Sequence, residues 1–243
     1  MEEGIELCSQ HNSSLQLNST KKLGTGCDPL DKLLGGGLRS GEVLLVFGER
    51  GTAKTALIFQ TMVNAASRGL KSMMIYSEGR VPLQRLKEIA HPRWFTLSEL
   101  MWIVEVKDFK EQDLLVENIE QQMPPKADLL VIDSITARYR AALGEHEENI
   151  SINKSLNREL ALIKDLCRRT GLTVMMTSEV TAKLNGKGVQ PVASSILTYW
   201  ADRVLRLEKV HGELRKVVLM KPTPPREAII KLATRGLIGT SEV

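Results

Sequence analysis

Mostly apolar runs of five or six residues recur along the chain: Glu42–Phe47, Ser72–Tyr76, Trp102–Val106, Leu129–Asp133 and Thr173–Thr177. A strand covered on both faces carries no polar alternation, so these runs predict buried strands. Between them the period changes. Asn153–Arg169 sets Leu156, Leu160, Ile163 and Leu166 on one face at helical spacing. Helices are also predicted after Lys54, ending near Arg68-Gly69, over Leu83–Ala90, and over Asp113–Gln122. Gly69 suits the left-handed residue that closes a helix, and Pro124-Pro125 cannot continue one. A short amphipathic helix around Leu30, Leu33 and Leu34 lies between Gly24-Thr25-Gly26 and Gly35-Gly36-Gly37. Strand–helix alternation of this kind predicts an α/β fold, a mostly parallel twisted sheet flanked by helices. The last third differs. Asp202–Lys209 and Leu214–Lys221 around His211-Gly212 predict a C-terminal antiparallel hairpin, with Ala228–Ala233 as a further strand.

Residues 1–22, rich in Ser, Asn and Gln, show no period and are expected to form a flexible tail or docking arm, leaving 23–243 as one domain. Composition fits that division: 42% apolar and 26% charged residues suit one soluble α/β domain. The apolar runs fall far short of the roughly 20 residues of a membrane helix, so no membrane role is expected. Met1-Glu2-Glu3-Gly4 lacks the apolar stretch of a signal peptide. Cys8, Cys27 and Cys167 are widely spaced and in no metal pattern, which reads as reduced thiols in a cytoplasmic protein. A net charge of +4 permits nucleic-acid binding without requiring it.

The chemistry lies at strand ends. Gly48-Glu49-Arg50-Gly51-Thr52-Ala53-Lys54-Thr55 follows a strand and opens a helix, the setting of a Walker A phosphate loop. Small residues let backbone N–H groups close on phosphate oxygens, and the helix N-terminus adds its positive dipole end. Lys54 would reach the outer phosphates of ATP, and the Thr55 hydroxyl would ligate Mg²⁺. Ala53 stands where this pattern expects glycine; if its φ is positive, the methyl costs on the order of 1 kcal/mol. Leu129–Asp133 is an apolar strand ending in a carboxylate, the Walker B form, and Asp133 is the second Mg²⁺ candidate. Glu78, in Tyr76-Ser77-Glu78-Gly79, reads equally as a general base that orients water or as a plain acid at a helix N-terminus.

In this order the pieces resemble the RecA/RadA recombinase family, and within it the short archaeal RadB-type branch, over essentially all of 23–240. Thr25–Gly37 is similar to the segment before Walker A, Val131–Arg140 to Walker B and the entry to loop L1, and Pro191–Asp202 to the segment after loop L2. The resemblance implies a RecA-type P-loop ATPase core with ATP and Mg²⁺ as ligands. It implies Glu78 as catalytic glutamate beside Lys54, and Arg85 as an arginine packed on adenine, where spacing alone leaves a solvated helix residue equally open. It implies DNA as partner, single-stranded or branched and bound without sequence preference. The main RadA-type recombinase, a Holliday-junction resolvase or a replicative polymerase subunit are the protein partners it suggests, in a nucleoid-associated setting. L1 corresponds to about Arg140–Ile152 and is acidic. L2, about Thr181–Ser195, carries Lys183, Asn185, Gly186, Lys187 and Gly188. Arg138, Arg140, Lys183 and Lys187 are the candidate DNA contacts, with Lys209, His211, Arg215 and Lys216 a second basic surface, His211 reading as a turn residue.

The chain departs from the family at three points. Thr177-Ser178-Glu179-Val180 replaces Thr-Asn-Gln-Val, putting a carboxylate where an amide senses the terminal phosphate; beside a triphosphate that is unfavourable unless a cation or proton intervenes. No helix-hairpin-helix domain precedes residue 23, and no Phe-x-x-Ala motif occurs. The expectation is an accessory protein of DNA repair and recombination, with weak ATPase and no strand exchange of its own. A KaiC-like signalling ATPase or kinase, sharing both Walker motifs, is the alternative, and a silent nucleotide-bound scaffold a third.

Overall fold

The computed structural model describes residues 22–183 and 188–240. In chain order it begins with β1 (Lys22–Leu23), α1 (Asp28–Leu33), β2 (Leu38–Arg39), β3 (Val43–Gly48), α2 (Lys54–Ser67), β4 (Ser72–Tyr76) and α3 (Leu83–Ala90). Next are α4 (Trp94–Ser98), β5 (Met101–Glu105), α5 (Phe109–Glu117), α6 (Ile119–Gln122), β6 (Leu129–Asp133), α7 (Ala137–Ala142) and α8 (His146–Thr170). β7 (Thr173–Ser178), β8 (Val180–Ala182), β9 (Val189–Pro191) and α9 (Ser194–Trp200) follow. The chain closes with β10 (Arg203–Lys209), β11 (Leu214–Lys221), β12 (Arg226–Ala233) and β13 (Gly236–Gly239).

Among the described residues the main sheet has nine strands in the order β13-β12-β11-β10-β3-β7-β6-β4-β5. From β10 to β5 every pairing is parallel, and from β10 to β13 every pairing is antiparallel. The α/β architecture read from the sequence is therefore present, with the C-terminal hairpin enlarged into a meander. Helices cover both faces. Leu30, Leu57, Phe59, Met62 and Leu86 pack on one, and Phe109, Tyr139, Leu156, Leu160 and Ile163 on the other. Each such fully buried side chain stabilises by about 1.5–3 kcal/mol.

Helix α2 lies deep enough to need a polar anchor. Its Gln60 Nε2 donates to Gly26 O and to Leu237 O, and its Oε1 accepts from Leu237 N at 2.6 Å. Both N–H donors and the carbonyl oxygen are engaged, so a buried glutamine joins the first long helix to strand β13 without an orphaned atom.

Several expectations are corrected. Lys22 belongs to β1, pairs with Arg39 and donates to Gly35 O at 2.7 Å, so ordered pairing reaches one residue into the segment read as a tail; residues 1–21 lie outside the described residues. The helix expected over Asp113–Gln122 starts at Phe109 because Asp108 caps it, accepting from Glu111 N at 2.8 Å. It breaks at Asn118. Helix α8 starts at His146, two turns before Asn153. Most of the stretch read as loop L1, Arg140–Ile152, is thus helical, with Glu147 and Glu148 in the first turn of α8, where the dipole favours acids. In the L2 region β8 pairs antiparallel with β9; Asn185, Gly186 and Lys187 lie outside the described residues.

Candidate functional site

Strand β3 delivers the phosphate loop to the carboxyl edge of the parallel strands. A Cβ on Gly48 would stand 2.3 Å from Leu207 O, so only glycine fits where the loop leaves β3. Gly51 has φ +78°, and a Cβ there would come 3.0 Å from Lys209 Nζ, which brings a cation of the hairpin to the loop. Ala53 has φ 78° and ψ 25°, the left-handed conformation in which its methyl is costly. The Thr52 hydroxyl donates to Glu49 O at 2.8 Å. Lys54 Nζ donates to Gly48 O at 2.8 Å and Glu49 O at 3.2 Å, which holds the ammonium inside the turn of the loop.

The floor joins three elements. Asp133, at the end of β6, accepts from the Thr55 hydroxyl of α2 at 2.9 Å and from the Thr177 hydroxyl of β7. The ends of β4 and β6 are tied by Ser77, whose hydroxyl donates to Ser134 O at 2.6 Å and accepts from Ser134 N. Burial pushes the Asp133 carboxyl above its usual range, against the two hydroxyl hydrogen bonds and Lys54, which lower it. Burial also raises Glu78, with Asp133 adding to the rise. The same desolvation lowers Lys54, while Glu78, Asp133 and Glu179 oppose it.

Lys54 and Glu78 open into a cleft of 590 Å³ lined also by Gly48, Arg50, Ser77, Gly79, Ala137, Arg138, Arg140, Glu179 and Val180. The phosphate loop and Glu78 thus share one cleft, and Asp133 lies behind the loop, hydrogen-bonded to Thr55. Arg138 and Arg140, read as DNA contacts, line this same cleft because α7 follows directly from β6. Arg138 Nε donates to Val106 O at 3.1 Å, and Arg140 Nη1 lies 3.4 Å from Glu179 Oε2. Lys183 lines a separate cavity of 260 Å³ with Phe47, Gln190 and Lys221. Arg85 stands apart from the cleft, donating to the carbonyls of Ala233 and Thr234 in the β12–β13 turn. Sequence reasoning put Lys209 on a DNA surface and missed its approach to Gly51; nothing local signals a contact between residues so far apart.

The residues present fit Mg²⁺ with a nucleotide triphosphate. A glycine-lined loop with no room for a side chain at Gly48 suits phosphate, and a hydroxyl beside a carboxylate is an all-oxygen donor pair of the kind Mg²⁺ prefers. Among the described residues no three His, Cys, Asp or Glu side chains gather as a metal cage. Among the described residues no helix is long and apolar enough to cross a membrane.

The Rad51 family model matches residues 16–240. A protein named DNA repair and recombination protein RadB from Methanosphaera stadtmanae is 30% identical over 217 residues, 86% of this chain and 92% of the relative. Proteins of the same name from Methanocaldococcus jannaschii and Thermococcus sibiricus are 30% and 33% identical, covering 86% and 81% of this chain and 98% and 85% of their own lengths.

Proposed function

The chain belongs to the Rad51 family, and from that premise we propose that it is a RadB-like accessory protein of DNA repair and recombination that binds MgATP in the cleft and DNA at its carboxyl edge. The observation that carries the nucleotide reading is the Thr55–Asp133 hydrogen bond. It sets the hydroxyl that ends the phosphate loop beside the strand-end carboxylate, 2.9 Å apart. Lys54 and the loop amides bind the outer phosphates. Thr55 and Asp133 hold Mg²⁺, whose charge, when bound, neutralises phosphate oxygens and polarises the terminal group. Glu78 orients a water and takes its proton.

Hydrolysis is slow in this reading, for two reasons. Ala53 holds the loop at a conformational cost, and Glu179 puts a carboxylate where the family has an amide beside the terminal phosphate. DNA binding is sequence-independent, through lysines such as Lys183, and the role is assistance to a RadA-type recombinase, a reading supported only as far as the relatives' name, DNA repair and recombination protein, reaches.

Labelled single-stranded DNA titrated with and without MgATP across a salt series tests the reading. Expected are affinity that falls steeply with salt, loss of ATP binding in Lys54→Ala, and turnover below about 1 s⁻¹. DNA affinity that is flat in salt, or absent, would remove the DNA half of the proposal. Fast turnover would remove the accessory role.

A further inference from the structure

Glu179 stands where an anion-binding cleft should not have a carboxylate. It lines the same cleft as Lys54, and its negative charge acts on both Lys54 and Glu78. An outer phosphate held by Lys54 would meet that charge. The countercharge is Arg140, reaching from α7 across the rim with Nη1 3.4 Å from Glu179 Oε2.

The pair is built to part. Arg140 is 58% exposed and Glu179 39%. Among the described residues the Arg140 guanidinium makes no other side-chain hydrogen bond, although it carries five donors. A single long contact between exposed charges adds little net stability, whereas a guanidinium fork on phosphate oxygens makes two short charge-assisted bonds. The main chain of Glu179 stays put in such an exchange: its N–H donates to the Thr136 hydroxyl at 3.1 Å and its carbonyl accepts from Val192 N at 3.0 Å. Only the two side chains have to move.

We propose that Arg140 and Glu179 form a discriminator for the terminal phosphate: Arg140 leaves Glu179 to bind that phosphate, and Glu179 tempers the binding by competing for Arg140. The inference rests on the nucleotide reading of the cleft. It predicts that the pair sets the preference for triphosphate over diphosphate, and does not set nucleotide affinity as such.

The test is calorimetric titration of the full chain with MgATP and with MgADP. Arg140→Ala should weaken MgATP by about tenfold and MgADP by less than about twofold, and Glu179→Gln should tighten MgATP several-fold with MgADP nearly unchanged. Arg140→Lys, which keeps the charge and loses the fork, should recover only part of the loss. Unfolding midpoints close to wild type confirm that the variants fold, as the exposure of both side chains leads one to expect. Equal losses for the two nucleotides in Arg140→Ala, no loss for either, or weaker MgATP binding in Glu179→Gln would each overturn the discriminator. If wild type binds both nucleotides and Lys54→Ala neither, those results overturn the discriminator alone. A wild-type chain that binds neither nucleotide overturns the cleft reading as well.

Discussion

At the floor of the cleft Asp133 is 1% exposed and both its oxygens accept hydroxyl hydrogen bonds, whereas at its rim Arg140 is 58% exposed and meets Glu179 in one long contact. The floor keeps a charge by surrounding it with fixed donors; the rim keeps two charges by letting each serve as the other's temporary partner. Fixed donors cost stability when removed, because the charge they serve stays buried. Exchangeable partners cost little, because water replaces them. One cleft thus contains a part that must hold still and a part that is free to respond.

The largest expected effect tests the support behind the floor. Glu159 is fully buried on α8 and accepts from Gln112, which also donates to Ile135 O just beyond Asp133. Its second oxygen has no donor among the described residues, as suits a neutral carboxyl. Burial pushes its pKa up from 4.5 to about 8. A carboxyl raised in the folded state binds a proton that the unfolded chain has released. Its contribution is therefore full below about pH 4.5 and is lost as pH rises through about 8. Across that window stability should fall by on the order of 1 kcal/mol per pH unit from this group, and Glu159→Gln should flatten the slope. Urea unfolding at pH 5, 6.5 and 8 reads it; an unchanged slope in the variant would place the pH dependence elsewhere.

Thr177→Val comes next. It removes one hydroxyl from Asp133 at nearly constant volume and should cost about 1–3 kcal/mol, measured by the same denaturation. Ala53→Gly relieves the left-handed alanine beside the floor and should raise stability by about 1 kcal/mol. A loss on this substitution would mean that the methyl's packing outweighs its backbone strain. Arg140→Ala should shift stability by less than about 0.5 kcal/mol. A loss as large as that of Thr177→Val would erase the contrast between floor and rim.

The motifs of the floor and the carboxylate at Glu179 were legible in the sequence; the partners that hold them were not. Gly48–Thr55 and Leu129–Asp133 announce themselves because strand burial and phosphate binding both restrict residue types within a short window. The Thr177 partner and the Arg140–Glu179 pair come from segments 44 and 39 residues apart, and no local pattern encodes that meeting. The longer α8 was hidden for a different reason. Its opening residues, Glu147 to Asn149, are polar, and Ile150 and Ile152 stand two apart, which is no helical period, although two acids at a start are themselves a helix signal. Helix α9 escaped because Ser194–Trp200 is short and rich in β-branched and aromatic residues, and strand β13 because it is four residues long with glycine at both ends. Arg85 is the reverse case, a residue singled out by likeness whose hydrogen bonds lead to the β12–β13 turn.

The Gln60 clamp has a consequence for how the protein comes into being. Its partner Leu237 lies 177 residues later in the chain, so during synthesis α2 emerges long before the group that satisfies it. Strand β3, directly ahead of α2, likewise waits for β10 on one side and β7 on the other. Until Leu237 has been made, part of the buried amide is open to water, and until β10 has been made, so is one edge of the central strand. The order of manufacture therefore runs opposite to the order of closure, and the phosphate loop, made first, is among the last parts to be finished.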